Sequence, residues 1–331
     1  MPVVDVATIE SVTAEALRSH GAEPFVASEV ARAVAEAEAH GNRICGLYYV
    51  ESYCEQLQSG RVRGKAVPVV TTPRPATIHV DAGFGFAQPA FSHGIVPALD
   101  AARQFGTATL AVGHAHTCTS LGFFTGQIAR AGMIGIGFTN ASPIVAPPGG
   151  RSRVIGTNPI AFSVPDGEGG LAMHFDQSTT TVALGKITMA KATGKSIPEG
   201  WALNARGEPT TDPEEALQGS LVSVGGYKGW GFGLMAEILA AGMTGSVLSR
   251  NVKPLKARDG SPHDLGQFYI LMDPETSPDF GARLSVLADA VSADEGARMP
   301  GQHRKGLTRV DVVDKVWDQI RDLARGPKPS E

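Results

Sequence analysis

The chain has 331 residues, of which 42% are apolar and 19% are charged; this composition is typical of a folded protein with a large core and excludes a disordered chain. The formal net charge of -4 provides no basic footprint for nucleic acid, and no apolar run reaches the roughly 18 residues of a membrane span. The N-terminal residues lack a basic segment followed by an apolar one, so we expect no secretory signal. Three cysteines without a disulfide framework indicate a reducing compartment. We therefore predict a cytoplasmic protein without nucleic-acid or membrane partners.

The N-terminal part of the chain has a helical pattern. Apolar residues recur at helical spacing within 11–40, with Pro24 in the turn between two helices and Gly41 at the end of the second. Residues 47–57 predict a third helix, which ends at Gly60.

Helices and strands then alternate. Short apolar runs at 67–70 and 77–81 predict two strands separated by Pro73 and Pro75. The elements that follow are a helix at 95–105, a strand at 109–112, a helix at 123–131 and a strand at 133–139. This alternation predicts the α/β class.

The second half of the chain has longer loops. Residues 143–160 predict a structured loop rich in Pro and Gly, and residues 194–220 are polar and rich in turns. The remaining predicted elements are strands at 160–164 and 268–272 and helices at 229–241, 282–290 and 309–325.

Residues 113–122 are the first candidate for chemistry. This segment reads GHAHTCTSLG and lies between a buried strand and a predicted helix start. A helix start favours anions, and imidazoles titrate near neutral pH. His114 and His116 would share one face of a strand, but with Cys118 they match no zinc pattern. We predict no metal, and leave open whether the histidines only form hydrogen bonds or face a substrate or cofactor.

Known nucleotide fingerprints are missing, but two other turns are candidates. Residues 225–231 place glycines and Lys228 before a helix, which can cradle a phosphate; the alternative is a tight turn with a solvated lysine. Arg151 and Arg153 could hold a carboxylate or lie on the surface. Thr157 and Asn158 place short polar groups on a rigid turn, which is suited to positioning a substrate.

Five ordered motifs carry a resemblance to a known family. They are IGIGFTNASP (134–143), PPGG (147–150), GTNPIA (156–161), FDQST (175–179) and GGYKG (225–229). Together they resemble the type 2 malate/L-lactate dehydrogenase family over about residues 10 to 310. That family includes malate, lactate, sulfolactate and ureidoglycolate dehydrogenases, diketogulonate reductase, and reductases of Δ1-pyrroline- and Δ1-piperideine-2-carboxylate. The motifs are specific to the family and not to the substrate.

The resemblance implies an architecture and a reaction. It implies a non-Rossmann α/β cofactor- and substrate-binding domain with a mixed sheet, at 66–279, and a helical domain formed by 1–65 with 280–331. It implies a homodimer with the active site near the subunit interface. Hydride would pass between a nicotinamide, NADP with NAD as the alternative, and a small anionic substrate.

Site residues follow by position in the family's motifs. Thr157 would touch the substrate, and the arginines of a C-terminal turn could pair with a 2′-phosphate. The implied cofactor-binding residues are Thr117, Cys118, Thr119, Ser120, Leu121, Asp176, Gln177, Ser178, Lys228, Gly229, Arg298, Pro300, Gly301, His303 and Arg304.

The acid/base residues of the family are changed in this chain. The Ser-His-Gly that contains the family's proton donor corresponds to Ile44, Cys45 and Gly46. The substrate-binding Arg corresponds to Tyr49, and Lys186 stands near the position of an Asp of the imine reductases. The Asn-His-Phe-Gly beside the cofactor becomes His116 to Thr119. The resemblance therefore carries over the hydride donor, and not an intact proton donor.

These changes favour reduction of a cyclic imine. A protonated imine accepts hydride at carbon without a proton to oxygen, whereas a ketone needs a general acid. The alternative is a 2-hydroxy-acid or 2-oxo-acid dehydrogenase of the malate, lactate or sulfolactate type with a relocated acid. His116 is the first candidate for that acid, followed by His114, Tyr48 and Lys186. Cys45 is a poor acid unless its pKa is tuned. Tyr49, Thr157 and His114 are the candidates for substrate binding, and a non-catalytic binding protein is the third class.

Overall fold

The structure is a computed structural model that describes residues 1–258, 260–302 and 305–327. His303 and Arg304 of the predicted cofactor turn lie outside the described residues. The helices are α1 Val6–Ser19, α2 Pro24–Ala39, α3 Val50–Ser59, α4 Ala87–Phe105, α5 Gly122–Arg130, α6 Leu184–Ala192, α7 Pro213–Gln218, α8 Tyr227–Glu237, α9 Phe280–Ser292 and α10 Asp314–Ala324. The strands are β1 Val3–Asp5, β2 Val69–Arg74, β3 Thr77–Asp81, β4 Thr107–Ala115, β5 Ile134–Thr139, β6 Ile160–Pro165, β7 Leu171–Gln177, β8 Ala202–Leu203, β9 Pro209–Thr210, β10 Ser220–Leu221, β11 Leu265–Met272 and β12 Arg309–Asp311.

The central sheet is mixed. Its strand order is β2-β3-β4-β11-β5-β6-β7, with β3 and β4 parallel and the other neighbours antiparallel. One face packs on α4 and α5 through residues such as Leu110 and Tyr269, and the other packs on α8 through Phe138 and Phe268. Because both faces of the middle strands are buried, β4 and β11 consist mostly of apolar residues. The predicted α/β class is confirmed.

The strand directions gather several loops at one edge of the sheet. Strands β4 and β5 are both antiparallel to β11, so they point in the same direction. Strand β6 is antiparallel to both β5 and β7, so β7 points in the same direction as β5. The C-terminal ends of β4, β5 and β7 therefore lie at the same edge of the sheet. Residues 116–121 and 176–180 therefore meet there, together with the turn before β6 that holds Thr157. This edge of the sheet is therefore the candidate location of a site.

A second core contains both ends of the chain. Strand β1 pairs with β12, with Val4 opposite Val310, and the apolar faces of α1, α2, α3 and α10 pack around them. Helix α9 buries none of its residues. The domain boundaries predicted at 65/66 and 279/280 remain predictions.

Some predicted elements differ from the structure. The helix predicted over 309–325 is wrong in its first part, because Arg309–Asp311 is a strand paired with β1. Pro73 lies inside β2, an edge strand with a register shift at that point, where a missing N–H is tolerated. Pro24 begins α2 instead of lying before it, a favoured place for proline. Helices α6 and α7, strand β7 and the small sheet β10-β8-β9 were not predicted.

Candidate active site

A cavity of about 560 Å³ lies beside the ends of β4 and β7. Its inner wall includes Ser120, Gly122 and Asp176, and Arg130 and Lys305 contribute side chains with positive charge. Helix α2 closes another side. The cavity thus lies at the strand edge identified above and contains both polar and charged groups.

Asp176 connects the two loops of the inner wall. Its carboxylate accepts hydrogen bonds from the backbone N–H of Gly122 at 2.8 Å and from the hydroxyl of Ser120 at 3.3 Å. Burial raises the pKa of Asp176, while the bond from Gly122 opposes that rise. Asp176 and Ser120, both predicted cofactor residues, are therefore brought together.

His174 is a cavity residue that the sequence analysis missed. Its Nδ1 lies 2.8 Å from the hydroxyl oxygen of Ser163, and its backbone N–H donates to the carbonyl of Pro300 at 2.9 Å. A Cβ added at Gly301, whose φ is +76°, would lie 2.6 Å from the carbonyl oxygen of His174. The predicted C-terminal turn therefore docks on β7 through Pro300 and Gly301, while the Arg298 side chain is exposed. The signal for His174 was its spacing of two residues from Asp176.

Cys45 is a half-buried thiol close enough to Asp176 to respond to its charge. Burial, and next the negative charge of Asp176, raise the pKa of its thiol to about 12. Burial, and next the Cys45 thiol, raise the pKa of Tyr49 to about 12. Tyr49 stacks on the buried Tyr53, with ring centroids 6.2 Å apart. Both groups therefore remain protonated at neutral pH.

His116 is fully enclosed in the protein. The imidazole is 1% exposed, its Nε2 lies 2.5 Å from Gln56 Oε1, and its ring packs against Phe86 and His263. Burial, followed by the neighbouring His263, lowers the pKa of His116 well below its usual value. A neutral imidazole that does not line the cavity is poorly suited to deliver a proton, so this geometry disfavours the predicted role of His116 as the acid.

His114 diverges from His116, contrary to the shared face expected of a strand. The backbone of His114 has φ +52°, which interrupts the alternation of side chains. Its Nδ1 lies 2.9 Å from Asp264 Oδ1, and its ring contacts Phe84. His114 is therefore committed to a partner outside the cavity lining.

Two further acid candidates, Lys186 and Tyr48, are exposed. Lys186 is exposed on α6, with Nζ 6.0 Å from the ring centroid of Trp201. Helix α6 reaches the turn before Cys45, since a Cβ added at Gly185 would lie 3.4 Å from Ile44. Tyr48 is exposed, and the ammonium of Lys256 lies 3.6 Å from its ring centroid. We call the exposed residues Tyr48, Lys186 and Lys256 the mouth of the site.

The other predicted residues near β4 have different exposures. Thr117, Cys118 and Leu121 are buried. Thr119 has φ +58° and donates its hydroxyl to the carbonyl of Cys118 at 2.7 Å. Of residues 117–121, Ser120 lines the cavity.

Hydrogen bonds to Thr179 and Glu237 fix the turn that contains Thr157. The carbonyl of Thr157 accepts from the backbone N–H and the hydroxyl of Thr179, both at 2.9 Å. Asn158, with φ +34°, donates to the Glu237 carboxylate at 2.8 Å. Thr157 is thereby fixed at the strand edge, consistent with its predicted contact with substrate.

The predicted residues after β7 and at the start of α8 lie outside the cavity lining. Gln177 is exposed, and the hydroxyl oxygen of Ser178 lies 3.0 Å from that of Thr180. Lys228 is exposed, and Gly229 packs so closely that an added Cβ would lie 2.1 Å from Val224 O.

Residues 1–258, 260–302 and 305–327 contain no group of three or more His, Cys, Asp or Glu arranged to hold a metal ion. Within the same ranges, no helix is long and apolar enough to cross a membrane.

Comparisons with known proteins agree with the motifs. The family model for malate/L-lactate dehydrogenase matches residues 4–320. The chain is 35% identical over 321 residues to the (2R)-3-sulfolactate dehydrogenase (NADP(+)) of Chromohalobacter salexigens, which covers 95% of this chain and 96% of that protein. It is 35% identical over 284 residues to the Δ1-pyrroline-2-carboxylate reductase of Ancylobacter novellus, covering 84% of this chain and 83% of that one.

The fold is also similar to that of a solved relative. The Δ1-piperideine-2-carboxylate reductase structure from Pseudomonas syringae superposes with a TM-score of 0.90 at 30% identity, covering 98% of this chain and all of that one (100%). The resemblance inferred from the five motifs is thereby confirmed, and the chain belongs to the malate/L-lactate dehydrogenase family.

Proposed function

We propose that the protein reduces a small cyclic 2-imino acid, of the Δ1-pyrroline-2-carboxylate or Δ1-piperideine-2-carboxylate type, with a nicotinamide cofactor. The observation that carries the proposal is the environment of Cys45. A thiol with a pKa of about 12 occupies the position of the family's proton donor, and its neighbour Tyr49 has a similar pKa. Such a pair transfers protons poorly at neutral pH, so a substrate that needs no acid at oxygen fits best.

The chemistry balances without a protein acid. When bound, the reduced cofactor supplies a hydride to the ring carbon of the C=N bond of a protonated imine. The π electrons of that bond move to nitrogen, which gives a neutral secondary amine that takes a proton from water. Cys45 and Tyr49 stay protonated and act as hydrogen-bond donors, and the buried Tyr53 behind them excludes water.

The cavity fits NADPH, with NADH as the alternative. Asp176, Ser120 and the Gly122 backbone form a polar inner wall. Lys305 supplies positive charge for a 2′-phosphate, together with Arg130, which also pairs with Glu36 at 3.2 Å. The sulfolactate dehydrogenase of Chromohalobacter salexigens is named as an NADP(+) enzyme, which supports the phosphorylated form.

A homodimer with the site near its interface is the proposed assembly. Helix α8 and the π-helical turn Ile238–Gly242 after it expose an apolar stripe, in which Phe232 is 54% and Ile238 is 63% exposed. The same helix anchors Asn158, next to Thr157, through Glu237. A second copy of the chain, in a cytoplasmic setting, would cover the stripe; sedimentation as a monomer at micromolar concentration would contradict this.

A 2-oxo-acid reductase of the sulfolactate type is the second candidate. It is favoured by the similarity to the sulfolactate dehydrogenase over 95% of the chain. It is also favoured by Asp176, whose pKa burial raises and whose charge acts on Cys45; this carboxyl group is the alternative to His116 as an acid.

A substrate panel separates the two candidates. Purified protein with NADPH is offered both cyclic imino acids, sulfopyruvate, oxaloacetate and pyruvate, and the nicotinamide absorbance is followed. We expect kcat/KM for an imino acid to exceed that for every 2-oxo acid by about 100-fold, the size of a typical general-acid contribution. The reverse order would replace the proposal with the second candidate, and no turnover of any compound would favour a binding protein.

A further inference from the structure

We propose that Lys256 binds the carboxylate of the substrate, and that Arg61 and Gln56 clamp its loop so that the ammonium stays at the mouth. The proposal rests on the proposed function, because it assumes an anionic imino acid at Cys45. No sequence motif indicated Lys256, which lies in the irregular segment 252–264 before β11.

The ammonium of Lys256 lies over the rings of Tyr48 and Tyr49, which follow Cys45 in the chain. Its Nζ is 3.6 Å from the ring centroid of Tyr48 and 5.6 Å from that of Tyr49, within the range of cation–π attraction. The Cys45 thiol acts on the pKa of Tyr49, so this ring connects the ammonium with the reacting region. A carboxylate that enters beside Tyr49 would therefore meet the ammonium.

The charge of Lys256 is available to a ligand. In the described part of the chain, Lys256 forms no ion pair with a carboxylate. The nearby Arg258 pairs with Glu55 at 3.0 Å, and Arg43 donates to the carbonyl of Asp311 at 3.2 Å. The neighbouring cations therefore have protein partners, whereas Lys256 rests on aromatic rings.

A buried clamp fixes the backbone around Lys256. The guanidinium of Arg61, 1% exposed, donates to the carbonyls of Pro254, Leu255, Ala257 and Ser261 at 2.8–3.1 Å. Gln56 Nε2 donates to the same Leu255 carbonyl at 2.7 Å. These bonds flank Lys256 on both sides and lower the entropy cost of holding its ammonium in place.

His116 takes a place in this clamp. Its Nε2 lies 2.5 Å from Gln56 Oε1, so it orients the amide whose Nε2 holds Leu255. His116 is thus a positioning residue for the loop of Lys256. The burial of its imidazole suits this role and disfavours proton transfer.

Removing the Lys256 ammonium tests the proposal. We expect Lys256→Ala to raise KM for the imino acid by about 10- to 100-fold, the value of a hydrogen bond to a charged group, with kcat and the KM for NADPH changed less than about threefold. Lys256→Arg should retain most of the affinity. Lys253→Ala removes an exposed lysine of the same loop and should leave KM unchanged.

Ionic strength separates charge recognition from a structural role. Added salt should raise the wild-type KM for the imino acid and leave that of Lys256→Ala almost unchanged, because screening acts only on the charge. An unchanged KM in Lys256→Ala, or an equal rise in Lys253→Ala, would overturn the proposal.

A binding assay distinguishes failure of this proposal from failure of the proposed function. Pyrrole-2-carboxylate is a planar carboxylate that cannot accept hydride, and its binding to NADP⁺-loaded protein is measured by calorimetry. Weaker binding to Lys256→Ala with no turnover of any imine would sink the proposed function and keep the role of Lys256. Imine turnover with equal binding to the wild type and to Lys256→Ala would support the proposed function and contradict the role of Lys256. No binding to the wild type would also contradict the role of Lys256.

Discussion

The inner side of the site and its mouth have opposite physical characters. We use inner side for Cys45, Tyr53 and His116, which are distinct from the polar cavity wall of Ser120, Gly122 and Asp176. Burial keeps these three groups uncharged, because it raises the pKa of a thiol or phenol and lowers that of an imidazole. The mouth holds the side chains of Lys186 and Lys256 in contact with solvent.

This difference separates two tasks. An inner side of neutral groups suits hydride transfer to a substrate that is already electrophilic, since no protein proton is consumed. A cationic mouth suits selection of an anion. The Arg61 clamp connects the two regions, because a residue buried behind the site holds the loop at its entrance.

The largest expected effect comes from breaking that connection with Arg61→Ala. Four carbonyls would lose the bond from the buried guanidinium, although Leu255 would keep Gln56 and Pro254 would keep the backbone N–H of Ala257. We expect the free energy of unfolding to fall by roughly 3 kcal/mol, measured by urea denaturation. Arg63→Ala, an exposed neighbour whose guanidinium lies over the Phe84 ring, should cost less than about 1 kcal/mol. Equal losses of unfolding free energy in Arg61→Ala and Arg63→Ala would show that the clamp does not contribute more to stability than an exposed arginine.

The next effect is chemical and follows from Cys45→His. An imidazole at this position would add a group that titrates near neutral pH, so we expect kcat/KM for 2-oxo acids to rise by about 10- to 100-fold relative to imino acids. Cys45→Ser is the matched control and should produce no such gain. If the ratio stayed constant in Cys45→His, the weak acidity of the inner side would not be what selects the substrate.

The remaining effect, the smallest when taken per pH unit, is the pH dependence of stability that His263 contributes. Burial, and next the charge of Arg61, lower its pKa to about 3, below the unfolded value of about 6.5. Between these values the unfolded chain binds more protons, so stability rises with pH from about 3 to 6.5 and is unaffected by this group above that range.

His263→Asn should reduce the slope of that rise by up to about 1.4 kcal/mol per pH unit, measured as the free energy of unfolding at several pH values. His93→Asn removes an exposed imidazole and should leave the slope intact. The same slope in wild type and His263→Asn would contradict the assigned pKa.

The elements that could be predicted are those whose signal is local. Helix α2 follows from apolar spacing within 16 residues, and β4 and β11 follow from continuous apolar runs. Strand β7 was missed because its residues are almost all half-buried and neither alternate nor form an apolar run. The strand at 309–311 was read as helix because its partner, β1, lies about 300 residues away.

The sequence by itself determined the α/β class and the family, because motifs and residue identities are local properties, and it predicts the loss of the usual proton donor at Cys45. Only the tertiary structure decided which groups are charged and which face the cavity. It buried His116 beside Gln56 and brought Lys256 over Tyr48, since burial and long-range contact depend on how distant segments pack.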